Sequence, residues 1–257
     1  MIEIESASNP LIKFAVSLQK RSVRKETFSF VVEGHKLIEE ALKSGFPIET
    51  IFVEQNSEKK YDNIVKCANT VAAVPYRLLQ KICESDTPQN IAAICKIKEK
   101  EYSNLPLKNV LVLENIQDPG NFGTLLRTAE CFGIDAVVTI GTAVDPFSRK
   151  VLRSGMGSSF RMNVIHFDKA GEAFNFFKEN NITVYAGALR RDAKSLEETS
   201  FEQNSAVAVG NEGSGLSEEF LAMADNTVFI PMSGEAESLN AAAAAAVMMW
   251  ELYKKKI

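Results

Sequence analysis

The stretch NVLVLENI at positions 109–116 constrains the fold more than any other part of the chain. Its centre, VLVL at 110–113, is continuously apolar and lacks the alternation of a strand with one wet face. It therefore reads as a strand buried on both faces of a parallel sheet. Such a strand needs helical crossovers to cover it, and the following sequence supplies them. NFGTLLRTAECFG reads as a helix with Asn121 at its N-cap and a stop at Gly133, and AVVTIG as the next strand. SRKVLRSGMGSSF then reads as a short helix, MNVIHF as a strand, EAFNFFKENN as a helix and ITVYAGAL as a strand. SAVAVG runs from a strand into a glycine-rich loop, SEEFLAMA is a helix, and NTVFIPMSG is the last strand. This alternation predicts an α/β domain with a mostly parallel, doubly wound sheet and helices on both faces.

The first part of the chain alternates too, with shorter elements. SASNPLIKFAVSLQK offers Ser8 or Asn9 as an N-cap with Pro10 in the first turn. After a basic loop, QKRSVRKE, TFSFVVEG reads as a strand and HKLIEEALKSG as a helix stopped at Gly45. IETIFVE, TVAAVPY and NIAAICKIK read as strands, with helices over YDNIVKCANT and RLLQKICES. The expectation is a small α/β sandwich over 1–98, a polar linker over 99–108, and the larger α/β domain over 109–257.

At 257 residues, 46% apolar and 24% charged, the composition is that of an ordinary globular protein. No apolar run approaches the ~20 residues of a membrane span, and the N-terminus has no signal-peptide h-region. The four cysteines, Cys67, Cys83, Cys95 and Cys131, form no C-x-x-C pair, and the histidines are only two, His35 and His166. Reduced thiols, no metal site and a cytoplasmic setting are expected. The net charge of −4 disfavours nonspecific coating of nucleic acid. Charge is uneven, however: residues 1–100 hold 15 Lys and Arg against 13 Asp and Glu. Lys20, Arg21, Arg24 and Lys25 concentrate that tilt, as either a solvated loop or a phosphate-contact patch.

Ligands of such sheets collect beyond the carboxyl ends of the strands, and three loops there are unusual. In ENIQDPGNFGTLLRTA, Pro119 and Gly120 make a tight turn, Gly123 allows close approach, and Arg127 falls in the second helical turn. Alone, this is equally a well-capped helix with a surface arginine. Neither G-x-G-x-x-G nor G-x-x-x-x-G-K-[ST] is present, which counts against an ordinary nucleotide-binding oxidoreductase. VAVGNEGSGLS holds Gly210, Glu212, Gly213 and Gly215 within six positions, implying special backbone angles or close ligand contact. In IPMSGEAESLNAAAAAAVMMWEL, Ser238 or Asn240 begins a helix led by six alanines, a surface that another backbone can approach closely.

Together these loops resemble one family, the SpoU (TrmH-type) RNA 2′-O-ribose methyltransferases of the SPOUT class. The first matches the family's N-x-x-D-P-x-N-x-G-x-x-x-R-x-A from Asn115 to Ala129; VGNEGSGL and IPMSGEAESLNAAAA match its second and third motifs. RKVLRSGMGSSF is similar to its R-x-S-M-G segment, with Gly155 in the variable place. The first part of the chain resembles the substrate-binding domain often joined to these enzymes, of a ribosomal-protein fold. The resemblance implies a C-terminal trefoil knot, S-adenosyl-L-methionine as cofactor, and a homodimer whose partner completes the site. It implies methylation of a ribose 2′-hydroxyl in structured RNA, ribosomal RNA before transfer RNA. A non-catalytic RNA- or ribosome-binding relative is the alternative. By motif position, Gly210, Ile230 and Leu239 would line the cofactor pocket. Arg127 would act as base or phosphate clamp, and Asn121 would orient Arg127 or the hydroxyl. Glu212 would hold the loops or pair with Arg127, and Ser238 and Asn240 would bond near the cofactor or the ribose. Lys20, Arg21, Arg24 and Lys25 would bind RNA.

Overall fold

The computed structural model describes every residue except 99–101, 103, 104, 106, 235–237 and 255–257. Most of the expected linker therefore lies outside the described residues. The chain divides into two compact units, Met1–Lys100 with Phe147–Phe160, and Glu101–Pro146 with Arg161–Ile257.

The first unit contains β1 (Ile2–Glu3), α1 (Pro10–Ser17), α2 (Arg21–Thr27), β2 (Ser29–Glu33) and α3 (His35–Lys43). It continues with β3 (Ile48–Glu54), α4 (Asp62–Val65), β4 (Thr70–Val74), α5 (Tyr76–Cys83) and β5 (Ile91–Lys96). Its sheet has the order β1-β4-β3-β5-β2, parallel through the first three strands and antiparallel at β5. One face buries Phe30, Val32, Ile38, Ile51 and Val53, and the other Ile12, Leu18, Phe52, Leu79 and Ile94. Phe147, Leu152 and Phe160 join the first of these layers, and the Phe30 and Phe147 rings lie 4.6 Å apart. That apolar contact explains why Phe147–Phe160, assigned by sequence to 109–257, packs in this unit.

Two expectations need correction here. QKRSVRKE is not a loop: it forms α2, as its strong helix formers Arg, Lys and Glu allow. Arg24 is buried, and its Nη1 donates to the carbonyls of Leu18 at 2.7 Å and Gln19 at 2.8 Å, closing the end of α1. Its charge is thus taken up by the fold, while Lys20, Arg21 and Lys25 are exposed. YDNIVKCANT forms only the single turn of α4, entered from a 3₁₀ turn over Glu58–Tyr61. At α1, by contrast, Asn9 caps as expected, accepting from the Leu11 N–H at 2.9 Å.

The second unit runs β6 (Asn109–Glu114), α6 (Pro119–Cys131) and β7 (Ala136–Ile140). After α7 (Arg149–Ser154) and α8 (Ser158–Arg161) come β8 (Val164–Phe167), α9 (Ala170–Glu179), β9 (Thr183–Gly187) and β10 (Lys194–Ser195). Then follow β11 (Ser205–Val209), α10 (Glu218–Met223), β12 (Asn226–Phe229) and α11 (Ala241–Lys254). The sheet order is β10-β12-β9-β11-β6-β7-β8, with every neighbouring pair parallel. Val110 and Val112 of β6 face a layer with Phe177 and Phe220 of α9 and α10. Leu111 and Leu113, pointing the other way, are also fully buried, on the side where α11 packs over β6, β11 and α6. The α/β class with a mostly parallel sheet is therefore the expected one. The segment expected to thread the knot, between β12 and α11, includes 235–237, which lie outside the described residues. No helix among the described residues is long and apolar enough to cross a membrane.

Cys83 and Cys95 are buried, whereas Cys67 and Cys131 are exposed. Burial, reinforced by Glu33, pushes the Cys83 thiol up to about 12 against the opposing pull of Arg149 and Arg153. Burial and then Glu49 do the same to Cys95, also to about 12. A thiol reagent at pH 8 should modify Cys67 and Cys131 promptly in the native protein and the other pair only after denaturation. Equal labelling of all four without denaturant would contradict this packing.

Candidate functional site

The chain order reverses between β6 and β11, adjacent parallel strands whose carboxyl ends release two loops side by side. A crevice at such a switch point is the usual ligand site of an open α/β sheet. Glu114, the last residue of β6, is buried there. Its Oε2 accepts from the Ser217 N–H and its Oε1 from the Ser217 hydroxyl, both at 2.7 Å. The same hydroxyl accepts from the Phe220 N–H at 3.1 Å and caps α10. One carboxylate thus fixes both the end of the glycine-rich loop and the start of a helix, through charge-assisted bonds.

The loop itself is pinched shut. The Asn211 N–H donates to the Gly215 carbonyl at 3.0 Å, and the Gly215 N–H returns a bond to Asn211 at 2.9 Å. Asn211 Oδ1 accepts from the Gly213 N–H at 2.9 Å, while its Nδ2 donates to the Asn115 carbonyl at 3.0 Å. Gly215 has φ +69°, open to glycine without steric cost. Gly210 is needed for space: a Cβ there would lie 2.1 Å from the Gly215 carbonyl carbon and oxygen and 2.3 Å from the Leu216 nitrogen.

Beside the loop, at the carboxyl ends of β9, β11 and β12 and so on the β11 side of the switch point, is a cavity of about 440 Å³ whose lining includes Ala241 and Ala244 of α11. Gly210, Ile230 and Leu239 line it, as do Glu212 and Ser238. Leu189, Met232 and Leu239 stand around it as exposed apolar side chains, an unusual wetting of large hydrophobics in one place. Arg190 also lines it and donates to Glu218 Oε2 at 2.9 Å, with Asp192 3.6 Å away. The hydrogen bond to Glu218, then the charges of Glu218 and Asp192, raise the Arg190 guanidinium further above its ordinary range.

Asn121, Arg127 and Asn240 do not line the cavity. The N-cap of α6 is Asp118, not Asn121: Asp118 Oδ1 accepts from the Asn121 N–H at 2.8 Å, with Pro119 opening the helix. Asn121 instead reaches the cavity wall, its Nδ2 donating to Glu212 Oε1 at 2.9 Å. Of the two contacts open to Glu212, the structure has the one that joins loops. Because the helix starts earlier than expected, Arg127 lies in its third turn, exposed and without an ion pair to any described residue. Asn240 is the cap of α11, accepting from the Ala242 N–H at 2.9 Å.

Sequence reasoning missed Glu114, Asn211 and Arg190. Glu114 had a signal: an acid closing a strand expected to be buried on both faces needs a partner. Asn211 and Arg190 had none, because nothing in their spacing tells where their side chains reach.

Gly210→Ala should destabilise the second unit by roughly 1–3 kcal/mol or more, since backbone atoms on the opposite strand of the loop cannot yield to the methyl group. Gly213→Ala should be tolerated, its Cβ meeting only Asn211 Oδ1 at 3.5 Å. Thermal melts of the two variants check this, and equal stability would contradict the pinched loop.

The chain matches the SpoU rRNA Methylase family over residues 108–250 and the MRM3-like substrate binding domain over residues 9–93. It is 34% identical over 252 residues to the 23S rRNA (guanosine(2553)-2′-O)-methyltransferase RlmP of Bacillus subtilis (strain 168), covering 98% of this chain and 99% of that protein. It is 26% identical to the 23S rRNA (uridine(2479)-2′-O)-methyltransferase of Streptomyces viridochromogenes, covering 93% of this chain and 88% of that one. Its fold superposes on the AdoMet-bound rRNA methyltransferase from Sinorhizobium meliloti with a TM-score of 0.89 at 27% identity, over 99% of this chain and 98% of the other. The chain belongs to the SpoU rRNA methylase family.

Proposed function

We propose that the protein transfers a methyl group from S-adenosyl-L-methionine to a ribose 2′-hydroxyl of ribosomal RNA. The observation that carries this reading is the cavity beside the pinched Gly210–Gly215 loop. Its volume of about 440 Å³ lies within the range of small-molecule sites. Gly210 fits the group through the loop it allows: with no side chain there, the Gly215–Leu216 backbone closes against it and forms the wall beside the cavity. The exposed apolar rim of Leu189, Met232 and Leu239 suits an adenine ring, and Arg190, Glu212 and Ser238 supply polar contacts. The ribosomal preference follows the activities of the two relatives above. A cytoplasmic setting, where ribosomes and free thiols coexist, agrees with the four unpaired cysteines.

When bound, S-adenosyl-L-methionine supplies an electrophilic methyl group on a sulfonium. The chain's own residues have to place the hydroxyl and manage its proton. A ribose hydroxyl is a weak nucleophile near neutral pH, so orientation and proton removal dominate the barrier. Gly210, Ile230 and Leu239 hold the cofactor, and Ser238 offers a hydroxyl at the same wall. Glu212, held by Asn121, fixes the loop against α6. Asn240 keeps the start of α11 in place through its cap and leaves its amide nitrogen to face the ribose. A guanidinium already carries all its protons near neutral pH and has no acceptor for another, so Arg127 is unsuited to take the hydroxyl's proton. Its suited role is to grip the phosphate beside the target ribose and so position the hydroxyl.

Arg127 does not line the cavity of its own chain, so a second copy is proposed to complete the site. A face for it exists on α11, where Val247 is 37% and Trp250 44% exposed, with the Trp250 ring 5.9 Å from those of Phe132 and Tyr253. Sedimentation should find a dimer, and Trp250→Glu should shift it to monomer; a wild-type monomer at micromolar concentration would refute the shared site.

The decisive assay for the activity is incubation with labelled methyl donor and unmodified 23S rRNA, followed by digestion and mapping. A single new 2′-O-methyl nucleotide is expected. Arg127→Ala should keep donor binding and lose transfer by about 100-fold, the cost of a misplaced nucleophile. Label on a base, or transfer near normal in that variant, would overturn the respective assignments.

A further inference from the structure

Phe28 ends α2 in the left-handed region, φ +49°, and is 48% exposed. A helix stops in that conformation most easily at glycine, because a Cβ is crowded there. Phe28 therefore combines a strained backbone with an aromatic face left in water. The fold does not require the ring. Phe28 serves the sheet through its carbonyl, which accepts from the Ile97 N–H at 2.7 Å, a bond any residue could make. Its side chain joins neither apolar layer of the unit. Strain that the surrounding structure holds in place, at an exposed aromatic, points to use by a ligand.

The surroundings indicate the ligand's charge. Lys20 at the N-cap of α2 and Arg21 and Lys25 within it are exposed, against one exposed acid, Glu26. β2, which begins at the next residue, is an edge strand, and α7 also packs on it. The sequence of α7, RKVLRS, holds three cations and no acid. Arg149 anchors it, Nη1 donating to the Glu84 carbonyl at 2.5 Å, while Lys150 and Arg153 are exposed. The chain beyond α7 repeats the pattern of α2: Met156 has φ +49° and is 56% exposed. Two short basic helices thus flank one edge strand from its two faces, α2 with Val23 in one apolar layer and α7 with Leu152 in the other, and each is followed by a large exposed apolar residue at positive φ.

We propose that this edge of the first unit reads the RNA, with Phe28 as the stacking platform for an unpaired base and Lys25 and Arg153 as phosphate contacts. The proposal rests on the RNA-methylation reading above and names the surface that would capture the substrate. Aromatic rings among cations suit single-stranded loops and bulges, whose splayed bases stack while the backbone is held electrostatically. A duplex would be gripped by shape and phosphates and would give the ring nothing to do. A protein partner is disfavoured because lysine is depleted at such interfaces. In a chain of net charge −4, this local excess of cations has to provide the attraction.

The test compares binding of an unmodified 23S rRNA transcript by wild type, Phe28→Gly, Phe28→Tyr and the pair Lys25→Glu with Arg153→Glu. Phe28→Gly relieves the left-handed backbone while deleting the ring, so its melting temperature should hold or rise. Its RNA affinity should nevertheless fall about tenfold or more, with S-adenosyl-L-methionine binding unchanged. Phe28→Tyr should bind as wild type does, and the charge-reversed pair should bind more weakly with a shallower salt dependence. Wild-type affinity in Phe28→Gly, or a loss in a natively folded Phe28→Tyr equal to that in Phe28→Gly, would overturn the assignment. So would a Phe28→Gly defect seen on assembled ribosomal particles but not on bare transcript, which would assign the surface to protein. A wild-type protein that binds this RNA through Phe28 yet methylates none would sink the functional reading instead.

Discussion

Two backbones meet at Gly210 and Gly215 with no room for a side chain between them, and the candidate site depends on that approach. The paired bonds between Asn211 and Gly215 close the neck of the loop, and Asn211 ties it to the carbonyl of Asn115. Glu114 then clamps the far end of the loop through Ser217. The result is a wall made of main chain, whose N–H and C=O groups are already committed in direction before any ligand arrives. Such a wall suits a cofactor held largely by backbone, because its shape does not relax when a side chain changes rotamer.

The alanine-led helix follows from the same requirement. α11 has to lie over β6 and β11 and against α6 while leaving the cavity open at its own N-terminal end. Ala241 and Ala244 line that opening, and Ala245 packs inward, fully buried. The clearance is small throughout: a Cβ on Gly187 would lie 2.8 Å from the Met248 sulfur and 3.1 Å from the Ala208 carbonyl oxygen. Larger residues early in α11 would either fill the cavity or lift the helix from the sheet. Further along, the helix becomes bulky and buries Met248, Met249 and Leu252, with Met248 still lining the inner end of the cavity.

What could be read from sequence divides along a physical line. The continuous apolar strand at β6 and the glycines of GNEGSG were legible, because both are local responses to burial or to backbone crowding. Gly210, Ile230, Leu239, Glu212 and Ser238 are brought to one cavity for the same reason: motifs at strand ends share a rim. Contacts between distant side chains were not legible. Nothing in the spacing says that Glu114 will meet Ser217, or that Glu212 will take Asn121 rather than Arg127. The run QKRSVRKE misled for a related reason. Its charge suggested solvent, but Arg24 finds two carbonyls at the end of α1, and the remaining residues are good helix formers. Phe147–Phe160 was placed by its position in the chain, whereas its aromatic rings belong beside Phe30 and Phe46 in the first unit.

The measurement closest to the central claim is calorimetric titration of the ligand-free protein with S-adenosyl-L-methionine. The account requires one saturable site per chain, with no comparable heat from a nicotinamide dinucleotide. An absence of heat with the methyl donor, or equal binding of both compounds, would mean that the crevice beside Gly210 does not serve the purpose assigned to it.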